Sequence, residues 1–62
     1  MTKFAALINE VQDYWNGIDS RTETESRQEY GIVRSHIEQA RRNGKINMQQ
    51  MAVLLEMLEE KR

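Results

Sequence analysis

The sequence predicts an all-α fold: a small three-helix domain in which an N-terminal helix precedes a helical hairpin. Two observations predict this fold. Apolar residues recur at spacings of three and four in three separate segments, as on one face of an amphipathic helix. A residue able to cap a helix precedes each segment, and Asn-Gly pairs follow the first two. The predicted helices cover about residues 3–16, 22–42 and 47–61 of a single domain that spans 1–62.

The first helix has the most regular stripe. Its apolar residues are spaced 3, 4, 3 and 4: Phe4, Leu7, Val11, Tyr14 and Ile18. Thr2 can cap the N-terminus by accepting a hydrogen bond from a free backbone N–H. Asn16-Gly17 predicts the end, because Gly accepts the left-handed conformation that terminates many helices.

The second helix has two alternative starts, because two capping boxes overlap. Thr22 with Glu25 and Ser20 with Glu23 each provide a hydroxyl followed three residues later by a carboxylate. The apolar stripe consists of Tyr30, Val33, Ile37 and Ala40. Gly31 interrupts it at a cost of about 1 kcal/mol relative to Ala. Whether Gly31 permits a close helix contact is left open by the sequence.

The third helix has more apolar surface than a single buried face requires. Asn47 and Gln50 form its capping box, and Ile46 can pack on Met51 as a hydrophobic staple. One face carries Met48, Met51, Leu54, Leu55 and Leu58, and a second stripe carries Ile46, Val53 and Met57.

This apolar surplus predicts a homodimeric helical bundle. A single core in a domain below about 70–80 residues rarely supplies more than about 3–5 kcal/mol. Without Cys and with one His, neither disulfides nor a metal site is expected to reinforce it, which leaves association into a symmetric dimer. We expect the third helix and the aromatic first helix at the subunit boundary. The alternative is a monomer whose core takes up nearly all of these residues.

Composition restricts the function further. The 62 residues are 39% hydrophobic and 31% charged, with a formal net charge of −1, which argues against a strongly basic nucleic-acid binder and an acidic DNA mimic. The absence of Cys excludes thiol catalysis and thiolate metal ligands. No apolar run approaches the roughly 20 residues of a membrane span, and no signal peptide is recognisable. We therefore expect a cytoplasmic protein.

No catalytic group is expected. The carboxylates of Glu56, Glu59 and Glu60 lie on a solvated face, without an apolar pocket to raise a pKa. His36 is the only side chain that ordinarily titrates near neutrality, and neither a nucleophile nor an orienting carboxylate lies near it in sequence. No phosphate-binding loop or metalloprotease pattern occurs. The sequence therefore predicts a non-enzyme without cofactor or metal.

A basic stripe is expected along the second helix. Arg27, Arg34 and Arg41 recur every seven residues and so lie along one side. Guanidinium groups suit phosphate or carboxylate recognition, so the stripe can contact a nucleic-acid backbone or an acidic patch on a protein. The alternative is a solvated flank with ion pairs such as Glu38–Arg42.

Aromatic and Met residues favour a protein partner. Tyr14 and Trp15 are adjacent, so we expect only one of them to point into the core and the other to lean outward. Trp, Tyr and Arg are enriched in binding hot spots, and Met provides an adaptable apolar surface. The predicted partner-binding residues are Tyr14, Trp15, Arg27, Arg34, Arg41, Met48, Val53 and Met57.

The predicted function is therefore a non-catalytic protein-binding factor: an adaptor, inhibitor or modulator that docks on a larger macromolecule. Its size and composition suit an accessory protein of a bacterium, plasmid or phage. The alternative is a small dimeric nucleic-acid-binding regulator that contacts the phosphate backbone through the Arg stripe.

Overall fold

The computed structural model describes residues 2–59 and is all-helical there. Its elements are α1 (Lys3–Asn16), a 3-10 turn (Ile18–Ser20), α2 (Glu23–Arg42) and α3 (Met48–Glu59). The predicted three-helix, all-α fold is confirmed, and each predicted boundary within the described residues agrees to within one residue. Residues 60 and 61, predicted to end the third helix, lie outside the described residues. No helix in residues 2–59 is long and apolar enough to cross a membrane.

Side chains cap the first two helices at their N-termini. The Thr2 hydroxyl accepts a hydrogen bond from the Ala5 N–H at 3.1 Å. At α2, the Thr22 hydroxyl accepts from the Glu25 N–H at 3.1 Å, and the Glu25 carboxylate accepts from the Thr22 N–H at 2.9 Å. The structure therefore selects the later of the two predicted boxes, and Ser20 belongs to the preceding 3-10 turn.

The end of α1 lies where it was predicted, but the reason given for it was wrong. Gly17 has a φ of −97° and is not left-handed. A Cβ on Gly17 would instead lie 2.8 Å from a guanidinium nitrogen of Arg21. That guanidinium donates to the Tyr14 carbonyl at 2.7 Å, so it satisfies one of the carbonyls that a helix C-terminus leaves without an intrahelical partner. Gly17 provides the space for this contact.

The turn between α2 and α3 is built from local signals. Gly44 adopts the left-handed conformation with a φ of 75°, and the Lys45 N–H donates to the Ala40 carbonyl at 2.8 Å, as in a Schellman motif. Asn47 and Gln50 then form the predicted capping box, with bonds of 2.7 and 3.0 Å. These caps end one helix and begin the next within five residues, so α2 and α3 form a hairpin.

One core lies between all three helices, and each pair of helices is in contact. Its buried residues are Leu7, Val11, Tyr14, Val33, Ile37, Ala40, Ile46, Leu54 and Leu58. Ile46, assigned to a second stripe by the sequence, is only 4% exposed, and Met57 packs against the core. Three large apolar side chains are exposed within residues 2–59: Ile32, Met48 and Val53. The apolar surplus is therefore smaller than the periodicity predicted.

Long-range contacts fix the direction of each helix. A carboxylate oxygen of Glu10 on α1 lies 2.8 Å from Nδ1 of His36 on α2. Lys3, at the start of α1, and Lys45, just after α2, line the same pocket, so the two helices are antiparallel. The indole N–H of Trp15 donates to the Met57 carbonyl at 2.9 Å, which places the ends of α1 and α3 together. The chain therefore runs up, down and up.

Candidate partner-binding surfaces

The two adjacent aromatic residues of α1 contact the same core, contrary to the expectation that only one of them would. Tyr14 is 7% exposed, and Trp15 is half-buried against the core. Their rings are T-shaped, with centroids 5.1 Å apart. The rotation of about 100° between neighbouring helix residues carries Trp15 to the boundary with α3, where its N–H reaches Met57. Both aromatic rings thus hold the helices together.

The predicted arginine stripe on α2 is interleaved with carboxylates. Nη2 of Arg27 lies 2.9 Å from the Glu23 carboxylate, and Nε of Arg34 lies 3.3 Å from the Glu38 carboxylate. Both are pairs of residues four apart, which face each other on a helix. Glu38 therefore pairs with Arg34 rather than with Arg42, the partner that the sequence indicated. Two of the three stripe arginines have their charge offset within their own helix.

Two side-chain hydrogen bonds hold the guanidinium of Arg34. The Tyr30 hydroxyl accepts from Nη1 at 3.5 Å, and this bond and the one to Glu38 raise the pKa of the Arg34 guanidinium above its usual value. The third stripe residue, Arg41, differs from the other two. Its Nε is buried without a hydrogen-bond partner in the described part of the chain. The stripe is thus an ion-paired flank that ends in one half-buried arginine.

The first turns of α3 expose an uncharged surface, which we call the α3 outer face. It consists of Met48, Gln49, Ala52 and Val53, all of which are exposed. Met48 is 64% and Val53 42% exposed. The structure therefore exposes two of the three partner-binding residues predicted on α3. The third, Met57, packs inward.

Cations gather where α1 begins and α2 ends. We call this region the basic end and define it by Lys3, Arg41, Arg42 and Lys45. Lys3 and Lys45 line a pocket of about 180 Å³ together with His36, Gln39, Ala40 and Asn43. Within residues 2–59, no carboxylate lies within 4.0 Å of either lysine nitrogen. Sequence reasoning missed this pocket because 42 positions separate its lysines.

His36 has the orienting carboxylate that its sequence neighbourhood lacks. Glu10 provides it from α1, 26 positions away, at 2.8 Å from Nδ1. Both side chains are partly exposed, at 45% and 38%, so the pair belongs to the surface that borders the pocket. The neighbourhood of His36 in the sequence has no orienting carboxylate, but the packing of α1 against α2 provides one. The absence of catalysis stays a prediction.

The opposite end of the molecule is acidic. There α1 and α3 end and α2 begins; we call this region the acidic end. Its acidic residues are Asp13, Asp19, Glu23, Glu25, Glu29, Glu56 and Glu59. Within residues 2–59, carboxylates therefore predominate at one end of the helices and cations at the other.

Comparison with protein-family models, curated proteins and solved structures gives no match for this chain.

Proposed function

We propose that this protein is a non-catalytic protein-binding factor, an adaptor, inhibitor or modulator that docks on a larger protein through the α3 outer face. One observation carries the proposal. Met48 and Val53 remain exposed on α3, whereas the other large apolar side chains of this helix are buried in the core or pack against it.

The chemistry of the α3 outer face supports a protein partner. Apolar side chains that remain exposed together mark interaction surfaces when they form a patch. Met fits irregular partner surfaces because its side chain is unbranched and polarisable. Between Met48 and Val53 the exposed residues are Gln49 and Ala52, so none of the four side chains of this face carries a charge.

The ion pairs of α2 make the nucleic-acid alternative less attractive. Binding to a phosphate backbone depends on cations that replace condensed counterions. Arg27 and Arg34 are already paired with Glu23 and Glu38, and these carboxylates would face the phosphates. We therefore propose a protein rather than a nucleic acid as the partner.

The homodimer and the cytoplasmic location stay predictions. With Ile46 and Met57 packed in or against the core, a dimer has less apolar surface to cover than the sequence indicated. Sedimentation over a range of protein concentrations tests it directly: a mass that rises toward twice that of one chain supports the dimer, and a constant single-chain mass contradicts it.

A pull-down with matched variants tests the docking proposal. Tagged chains capture partners from a lysate of the source organism with and without nuclease. The double variant M48E/V53E adds two negative charges to the α3 outer face. The control Q12E/Q28E adds two at exposed positions of α1 and α2, and circular dichroism verifies that both fold.

We expect wild type and control to retain the same protein after nuclease treatment, and M48E/V53E to lose it. If nuclease treatment abolished the capture, nucleic acid and not a protein would be the partner. Equal capture by both double variants would show that the α3 outer face is not the contact.

A further inference from the structure

We propose that the pocket at the basic end binds a carboxylate group on an acidic segment of the protein partner. The proposal rests on the proposed function for the existence of that partner and adds the chemistry by which it is recognised. The pocket is a concave site between the start of α1 and the end of α2, and its lining has two lysines and two side-chain amides.

The two lysines provide the attraction. Lys3 and Lys45 lie on the lining of one pocket, and neither has a carboxylate within 4.0 Å in residues 2–59. An anion in this pocket is attracted by the positive charges of both lysines, and the attraction is strongest where the site is shielded from water. Arg41 and Arg42 at the end of α2 add to the positive potential, so an anion is drawn to this end.

The other residues that line the pocket can orient a ligand through hydrogen bonds, and the pocket volume limits the size of that ligand. Gln39 and Asn43 are one helical turn apart on and just after α2, and each amide has two N–H donors. His36 borders the same space, with its ring held by Glu10 at 2.8 Å. A volume of about 180 Å³ is below the roughly 300–1,000 Å³ of sites that enclose drug-sized ligands. The pocket therefore suits an acidic side chain or a terminal carboxylate.

Charge placement favours an acidic protein segment over a nucleic acid. A nucleic-acid backbone needs a row of cations. Of the cations without a carboxylate partner in residues 2–59, all but Arg21 lie at the basic end, and the α2 flank carries Glu23 and Glu38. Lys45 also precedes Met48 by three residues, so the pocket and the α3 outer face begin at the same end. A partner segment that joins a carboxylate to apolar residues can contact both.

A peptide titration followed by NMR tests the pocket apart from any natural partner. The probe is hexaglutamate with blocked termini, added at low ionic strength to isotope-labelled protein, and hexaglutamine is the uncharged control probe. The variant K3Q/K45Q removes two positive charges from the pocket. Its matched control R27Q/R34Q removes two from the ion-paired flank of α2. Sedimentation under the same conditions monitors self-association.

We expect hexaglutamate to shift the amide resonances of Gln39, Asn43 and Lys45, and hexaglutamine to leave them unchanged. K3Q/K45Q should weaken the binding by about tenfold or more, the effect of losing at least one charge-assisted hydrogen bond. R27Q/R34Q should weaken it by less than about twofold, because those charges are already offset by neighbours.

Four results would overturn the proposal. Equal weakening in both double variants, or shifts centred away from residues 36–45, would show general attraction instead of a site. Self-association that K3Q/K45Q abolishes would make the acidic end of a second copy the occupant. If hexaglutamate did not bind while M48E/V53E still abolished capture of the partner from the lysate, the pocket would not be a carboxylate site. Docking through the α3 outer face would still stand.

Discussion

Cations make different contacts at the two ends of this molecule. At the acidic end, the Arg21 guanidinium donates to the Tyr14 carbonyl at 2.7 Å and lies 5.8 Å from the centroid of the Tyr14 ring. At the basic end, Lys3 and Lys45 have no carboxylate partner in the described chain. One cation thus completes a helix terminus, and the other two remain available to a ligand.

Aromatic packing accompanies this difference. Tyr14 forms edge-on contacts with Trp15 at 5.1 Å and with Tyr30 at 6.3 Å, and Trp15 bonds to Met57 of α3. Three helices are thereby joined at the acidic end. The basic end is closed by the hairpin turn, where Ile46 is buried, and the partly exposed Glu10–His36 pair lies between the two ends. We infer that the acidic end contributes more to stability and the basic end more to recognition.

The largest expected effect tests the aromatic contacts. Trp15→Ala should lower the free energy of unfolding by about 3 kcal/mol, because it removes a large half-buried ring and leaves a cavity between α1 and α3. Trp15→Phe keeps most of the ring and loses the bond to Met57, so it should cost about 1 kcal/mol. Urea denaturation measures both. An unchanged unfolding midpoint in Trp15→Ala would contradict a structural role for this residue.

The second-largest loss of stability is expected from a substitution in the turn at the basic end. Gly44→Ala should destabilise the fold by about 1–2 kcal/mol, since a Cβ is unfavourable at a φ of 75°. The loss should be smaller than in Trp15→Ala, and thermal unfolding compares the two. If Gly44→Ala were the more damaging variant, the hairpin turn and not the aromatic end would dominate stability.

Gly31→Ala should have the opposite effect and raise the free energy of unfolding. Within residues 2–59, a Cβ at this position of α2 meets nothing within 4 Å, so Gly31 serves no close contact there. The substitution should stabilise the protein by about 1 kcal/mol through helix propensity alone. Destabilisation, accompanied by a lower mass in sedimentation, would instead reveal that a second copy covers this face.

The smallest stability effect is expected at the pocket. K3Q/K45Q should change the free energy of unfolding by less than about 0.5 kcal/mol, as is usual for surface substitutions. Chemical denaturation of this variant beside wild type provides the measurement. A loss comparable to that of Trp15→Ala would mean that the lysines support the fold, and the contrast between the two ends would fail.

Sequence reasoning predicted the helices well because their signals are local. The capping pairs Thr22/Glu25 and Asn47/Gln50 act over three residues, and the apolar stripes repeat every three or four. Gly17 shows the limit of such reasoning: its position as a helix end was readable, but its contact with Arg21 depends on how the following turn folds back.

The candidate site was predicted only in part. Periodicity could place Met48 and Val53 on helix faces, but whether a face is covered depends on a neighbouring helix. Arg27 and Arg34 were visible as a stripe, whereas the rotamers that pair them with Glu23 and Glu38 were not. Lys3 lies far in the sequence from Lys45 and the other residues that line the pocket, so no local motif predicts the pocket.

Local interactions specify the all-α class, the three helices, their caps and most of the core face, since these features depend on residues within about one helical turn of each other. The packing of the helices against one another sets which apolar residues stay exposed and where the charges gather. Those features arise from contacts between residues 26 or 42 positions apart, such as Glu10 with His36 and Trp15 with Met57. Only the packing of three helices brings such residues together.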